Sequence, residues 1–208
     1  MLVATVTGLV AGGCASDGIY SKVPPAYNLV ENQNKKILLW VESPRSAGAD
    51  IDVSDKLTGA IRNHLITKAK IKPDNILLAQ GMQGSASNTQ WTPEVAALQA
   101  GAELSLFVRI EEYELMPVNI RDFYSGRLLT RAVLLDAKTA VPLWPSDAQG
   151  KVHDIVIELG EGGREATLSR ITGGTAHCIV RNLYPIVKMH YKNSDERVSL
   201  QEAFETEP

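Results

Sequence analysis

The chain has 208 residues, of which 44% are hydrophobic, 22% charged and 6% aromatic. These are ordinary globular values, and they exclude collagen-like, disordered and polytopic membrane classes. The net charge is −3 and falls within residues 192–208, so the rest is neutral and lacks the basic stripe expected of a nucleic-acid binder.

Residues 1–13 are uncharged and apolar or small throughout, and end Ala11-Gly12-Gly13-Cys14. The run is too short for a membrane-spanning helix, which needs about 20 residues, and matches the apolar region of a secretory signal. Small residues directly before a cysteine resemble the lipobox of bacterial lipoproteins, although Ala11 stands where that family prefers Leu. The resemblance implies cleavage before Cys14, a covalent lipid on its sulfur and an acylated new amino group. More than one acyl chain gives stable anchoring. Asp17 is not directly after the cysteine, which in that family points to the outer membrane, facing the periplasm. Read from its residues alone, the run also fits a buried amino-terminal strand with an incidental free cysteine. Lipidation would consume the Cys14 thiol, so no disulfide with Cys178 is expected, and Cys178 is a small buried hydrophobe. Residues 14–34, with Gly18, Pro24 and Pro25, read as a tether.

A single α/β (α+β) domain is expected over 35–191, a mixed sheet with helices packed on it as a two- or three-layer sandwich. Residues 192–208 read as a flexible acidic tail. Ile37–Val41 is a continuous apolar run, the mark of a strand buried on both faces. Ser54 is a plausible N-cap for a helix burying Leu57, Ala60, Ile61, Leu65 and Ala69. Ile76–Ala79 is a second strand, followed by a Gly- and Ser-rich loop over 80–90. Thr92-Pro93-Glu94 starts a short helix that stops near Gly101. Leu104, Leu106, Val108 and Ile110 alternate with polar neighbours, then the phase shifts to Tyr113 and Leu115, which predicts a bulge at Glu111–Glu112. A loop is expected over 117–126, then a strand over 127–136, a turn at 136–139 and an edge strand through Pro142. A strand over 152–159 should place Ile155, Ile157 and Leu159 on one face. The last helix should carry Leu168, Ile171, Thr175, Ile179, Leu183 and Ile186 on one stripe, with Gly173-Gly174 marking close packing or a kink.

The helix end Ala100-Gly101-Ala102-Glu103 running into a strand, and the turn Asp136-Ala137-Lys138-Thr139 before Trp144, carry a family resemblance. Together with the early strand–helix–strand unit, they resemble the envelope lipoproteins that include the curli-secretion protein CsgG, the penicillin-binding-protein activator LpoB and the amino-terminal domain of TolB. Ala140 stands where that pattern has Gly. The resemblance covers about residues 35–190. It implies an anticodon-binding-domain-like α/β sandwich and a noncatalytic periplasmic protein that binds another envelope protein. It carries over no active site. A subunit of a homo-oligomeric secretion channel is the alternative, although no pair of long amphipathic hairpins for a membrane barrel is evident.

No catalytic or metal-ligating set emerges from the residues, and no cofactor is expected beyond the lipid on Cys14. Gly160-Glu161-Gly162-Gly163 lacks the P-loop and dinucleotide patterns and reads as a turn. His64, His153, His177 and His190 are scattered, and Glu111, Glu112 and Glu114 read as a solvated face. Among the aromatics, Tyr124, Trp144 and Trp91 are the candidate partner-binding residues. Tyr124 and Trp144 adjoin predicted turns, where a large aromatic either anchors a partner or packs into the core. The partner would be another envelope protein or a second copy, with the membrane reached through the lipid anchor and no nucleic acid involved.

Overall fold

The computed structural model describes residues 18–43, 51–79 and 92–191. Cys14, Trp91, the loop 80–90 and the tail 192–208 lie outside the described residues. Two compact units are present. The smaller contains a two-stranded sheet of β1 (Gly18–Val23) and β8 (Ile186–Tyr191). The larger, Pro24–Ile186, is the body.

Among the described residues, the body is a six-stranded mixed sheet with three α-helices, the expected α+β architecture. Its strands are β2 (Ile37–Glu42), β3 (Ile76–Leu78), β4 (Leu104–Pro117), β5 (Phe123–Asp136), β6 (Pro142–Trp144) and β7 (Lys151–Glu161). The order is β3-β2-β4-β5-β6, with β7 also paired to β5. β2 runs parallel to β3 and β4, and the pairs made by β5 are antiparallel. Helices α1 (Ile51–Thr67) and α3 (Gly163–Val180) cover one face, and α2 (Pro93–Gln99) covers part of the other.

The main core lies under α1 and α3. Val53, Leu57, Ile61 and Leu65 of α1 are fully buried, each contributing about 1.5–3 kcal/mol. Their 3–4-residue spacing matches the predicted stripe, but the helix starts at Ile51, three residues before the expected cap. Ser54 lies inside it, where its carbonyl accepts from the Thr58 hydroxyl at 2.8 Å. The smaller core sets Ala96 and Ala97 of α2 against Leu38 and Trp40. Small side chains there let the two-turn helix sit close to the sheet. Strand β2 is thereby buried on both faces, as its continuous apolar run requires.

The register of β4 against β5 shifts between Ile110 and Glu112, the predicted bulge. It keeps Tyr113 on the core side after Leu104, Leu106, Val108 and Ile110. The loop expected over 117–126 is instead the far end of this hairpin. Pro117 opposes Tyr124, and the turn is closed by the Val118 amide donating to the Phe123 carbonyl at 3.1 Å. At the near end, Asp136 Oδ1 accepts from the Lys138 and Thr139 amides and the Thr139 hydroxyl. Those bonds, the Thr139 amide first, hold the Asp136 carboxyl below its usual range. Ala140 follows at φ +56°, the left-handed region where a glycine is preferred.

Three further expectations are corrected. Residues 24–34 are part of the body rather than a tether: Leu29 is fully buried and its amide donates to the Leu183 carbonyl at 2.9 Å. Leu159 is 54% exposed, because a register shift between Tyr124 and Gly126 turns it away from the face of Ile155 and Ile157. Helix α3 ends at Val180, so Leu183 and Ile186 lie beyond it. The Asn182 side-chain amide donates to the Cys178 carbonyl there, and Pro185 lacks the N–H to continue a helix. An added Cβ on Gly174 would lie 3.6 Å from Ile155, an ordinary contact, while one on Gly173 meets nothing within 4 Å. Gly160 is different, since its Cβ would fall 2.6 Å from the Thr167 hydroxyl, where β7 meets α3.

In urea unfolding, Ala140→Gly should raise stability by about 0.5–1 kcal/mol by relieving the positive φ. Gly160→Ala should lower it by about 1–3 kcal/mol through overpacking against Thr167.

Candidate interaction surface

Among the described residues, the sheet face opposite α1 and α3 is covered by α2 only over β2 and the first part of β4. Cross-strand register puts the outward residues of β4, β5 and β7 in rows on the remainder. Glu114, Arg127 and Val156 make one row, and Glu112, Leu129 and Asp154 the next. Beyond Arg109, β4 pairs only with β5 among the described residues, so the far half of the hairpin stands clear of β2.

Three sets of ion pairs cross this face. Arg127 grips Asp154 with two parallel bonds, Nε to Oδ1 at 3.0 Å and Nη2 to Oδ2 at 2.8 Å, and its Nη1 lies 3.0 Å from Glu112. Arg131 Nε donates to Glu111 at 2.7 Å, and Arg109 Nε to Glu42 at 2.9 Å. The Arg127 hydrogen bond holds the Asp154 carboxyl below its usual range. Exposed pairs of this kind add little to stability. Their consequence is that the three arginines are already paired, so a partner covering them need not leave an uncompensated cation. Val152 and Val156 lie among them, 46% and 57% exposed, and Met116 and Ile120 are exposed toward the hairpin end.

The two aromatic candidates within the described residues, Trp144 and Tyr124, are not brought together. Trp144 is 3% exposed and belongs to the main core, which corrects its reading as a surface anchor. Its strand pairs with β5 at Leu134, which draws the indole inward, and its ring centroid lies 6.1 Å from that of His153. Tyr124 is half-buried on the helix-covered side, opposite Pro117 and Gly160. Trp91 is outside the described residues. Sequence reasoning missed the open face because its signal is cross-strand. Arg127 and Asp154 are 27 positions apart, and only register makes them neighbours.

His153 is buried with its Nε2 unpartnered, opposite Thr130, whose hydroxyl is likewise buried and unpartnered. Burial, and secondarily the charge of Lys151, push the imidazole pKa down to about 4. His64 and His177, distant in sequence, stack edge-on at 5.9 Å where α1 meets α3. Burial pushes the Cys178 thiol up, as suits a packed side chain rather than a nucleophile. Among the described residues, no group of three or more His, Cys, Asp or Glu side chains could hold a metal ion. No helix there is long and apolar enough to cross a membrane. The amide of Gly163 donates to the Asp122 carbonyl at 2.8 Å, so the glycine-rich turn ties α3 to the hairpin tip.

No protein-family model and no curated protein matches the sequence. The fold is similar to that of the PelC dodecamer from Paraburkholderia phytofirmans, at TM-score 0.50 and 11% identity over 79% of this chain and 96% of that chain. Lipoprotein GNA1162 from Neisseria meningitidis matches at TM-score 0.39 and 15% identity, over 70% of this chain and 99% of that one. The LpoB C-terminal domain from Salmonella enterica matches at TM-score 0.31 and 14% identity, over 62% and 93%.

Trp144→Ala should cost about 3–5 kcal/mol of stability, measured by denaturant unfolding, as a core deletion does. Unfolded histidine titrates near 6.5 and native His153 near 4, so between these values only the unfolded state takes the proton. Stability should therefore fall by about 3 kcal/mol as pH drops from about 6.5 to 4, and His153→Leu should flatten that part of the profile. Asp136 and Asp154, whose pKa values are lowered, act only below that window.

Proposed function

We propose that this chain is a noncatalytic lipoprotein of the bacterial cell envelope, anchored through Cys14 to the periplasmic face of the outer membrane, whose α+β body binds another envelope protein. The observation that carries the reading is the uncharged apolar run ending in small residues before Cys14. The fold's similarity to bacterial lipoproteins accords with it. No cofactor is required by this role beyond the covalent lipid.

The binding surface in this reading is the open sheet face, with Val152 and Val156 set among matched ion pairs, rather than Trp144. Apolar side chains inside a polar surround suit a partner interface. Tyr124, on the helix-covered side, lies away from this surface, and Trp91 remains the candidate contributing aromatic. A second reading, assembly of identical copies, is favoured by the likeness of fold to a protein solved as a dodecamer.

Cys14→Ala should release the protein from washed membranes into the soluble fraction, and unchanged retention would sink the lipid anchor. Crosslinking in intact cells should capture one distinct envelope partner. Val156→Lys should abolish that crosslink while changing stability by no more than about 0.5 kcal/mol. Crosslinks only between copies, with a ring-sized particle by light scattering, would instead establish the second reading.

A further inference from the structure

Five lysines separated in sequence meet at one end of the body. Lys35 and Lys36 directly precede β2, while Lys68, Lys70 and Lys72 follow α1 and precede β3. Strands β2 and β3 are parallel and start level, Ile37 opposite Ile76. The segments leading into them are tied by the Asn75 side-chain amide, which donates to the Gln33 carbonyl at 3.1 Å. These segments carry two acids, Glu31 and Asp74, which leaves positive charge in surplus, and Glu103, Asp136 and Lys138 lie at the neighbouring strand ends. Lys36, Lys70 and Lys72 are exposed and take part in no ion pair among the described residues. The arginines contrast with them, since Arg109, Arg127 and Arg131 are matched on the open face.

The chain enters and leaves the body at this same end. Helices α1 and α3 run side by side in the same direction, with Lys56 on Glu165 near their starts and His64 on His177 near their ends. Their carboxyl ends therefore lie together. The entering segment is bonded there, Ala26 to the Asn182 carbonyl and Leu29 to the Leu183 carbonyl, both at 2.9 Å. Eleven residues after Pro24 the chain reaches Lys35. Lys70 itself holds φ +60°, the left-handed position that ends a helix and that Gly or Asn fills at lower cost.

We infer that this lysine end is a docking surface for the anionic headgroups of the membrane that carries the lipid anchor. The inference rests on the reading of Cys14 as lipidated. Nine residues separate Cys14 from Pro24, and the ten steps between them span at most about 35 Å when extended, so the anchored body is held within reach of the surface. Lysines then gain from the negative surface potential, which acts over about one Debye length. A lipid anchor with a basic patch is a two-signal attachment, the patch setting the orientation of the body. The open sheet face, on a different side of the sheet from its lysine end, is left to face a partner.

The test uses the full chain carrying Cys14→Ala, so that no lipid contributes, sedimented with vesicles. Vesicles with about 30 mol% phosphatidylglycerol should bind at least tenfold more protein than pure phosphatidylcholine, and about 0.5 M NaCl should abolish the difference. Adding Lys36→Gln, Lys70→Asn and Lys72→Gln should bring binding down to the phosphatidylcholine level. Asn suits the left-handed position, and an unchanged melting temperature confirms that the variant folds. Equal binding to both vesicle types, or full binding by the lysine variant, overturns the inference. So does self-association that the lysine variant abolishes without any vesicle binding, which would assign the patch to a second copy. If Cys14 proves unlipidated in cells while anionic vesicles still bind, the anchor reading fails and the docking surface stands. If Cys14 is lipidated and vesicles do not bind, the docking surface alone fails.

Discussion

The pairing of β4 with β5 is the constraint on which the body depends. Two 14-residue strands lie antiparallel, and one irregularity, between Ile110 and Glu112, decides which side chains face the helices. A one-residue slip exchanges the two faces of a strand. Without the bulge, the alternation established by Leu104 to Ile110 would turn Tyr113 and Leu115 outward and carry charge into the helix interface. With it, the core side stays apolar along the hairpin, and the acids and arginines collect on the other face. The central position of β4 then sets β2 and β3 in register on one side, while β5 receives β6 and β7 on the other.

Charge is organised by this arrangement as much as apolar area is. Arginines on β5 meet carboxylates in bidentate or near-bidentate contacts, for which the planar guanidinium is suited, and Arg109 of β4 meets Glu42 through its Nε. Lysines gather instead where strands begin and α1 ends, with Lys36, Lys70 and Lys72 exposed. The molecule thus separates a face whose arginines are paired with acids from an end where Lys36, Lys70 and Lys72 take part in no ion pair among the described residues. The first suits contact with a protein, and the second suits an anionic surface.

Much of the fold was legible in the sequence, and the failures share a cause. Strand β2, helix α2, the bulge and the Asp136 turn each have a local signal: an unbroken apolar run, Thr-Pro-Glu, a phase shift, an Asx turn. Trp144 was ambiguous because a turn beside it is visible in sequence, while the strand that draws it inward is not. The far end of the hairpin was read as a loop because Pro117 and Gly126 are breakers in isolation. Thirteen paired positions overrule that propensity, and Gly126 is accommodated under Leu115 and Ile171. Residues 24–34 read as a tether because their burial comes from residues 182 and 183, about 150 positions away.

The sequence by itself determined the α+β class, most of the elements and the apolar stripe of α1. These depend on periodicity and on residues adjacent in the chain, where spacing alone fixes geometry. Only the tertiary structure decided which residues line the open face, that Trp144 and His153 are interior, and that five lysines spread over residues 35–72 form one end. Those depend on strand register and helix direction. Both are set by burying the whole apolar surface at once, and no local stretch of chain encodes that sum.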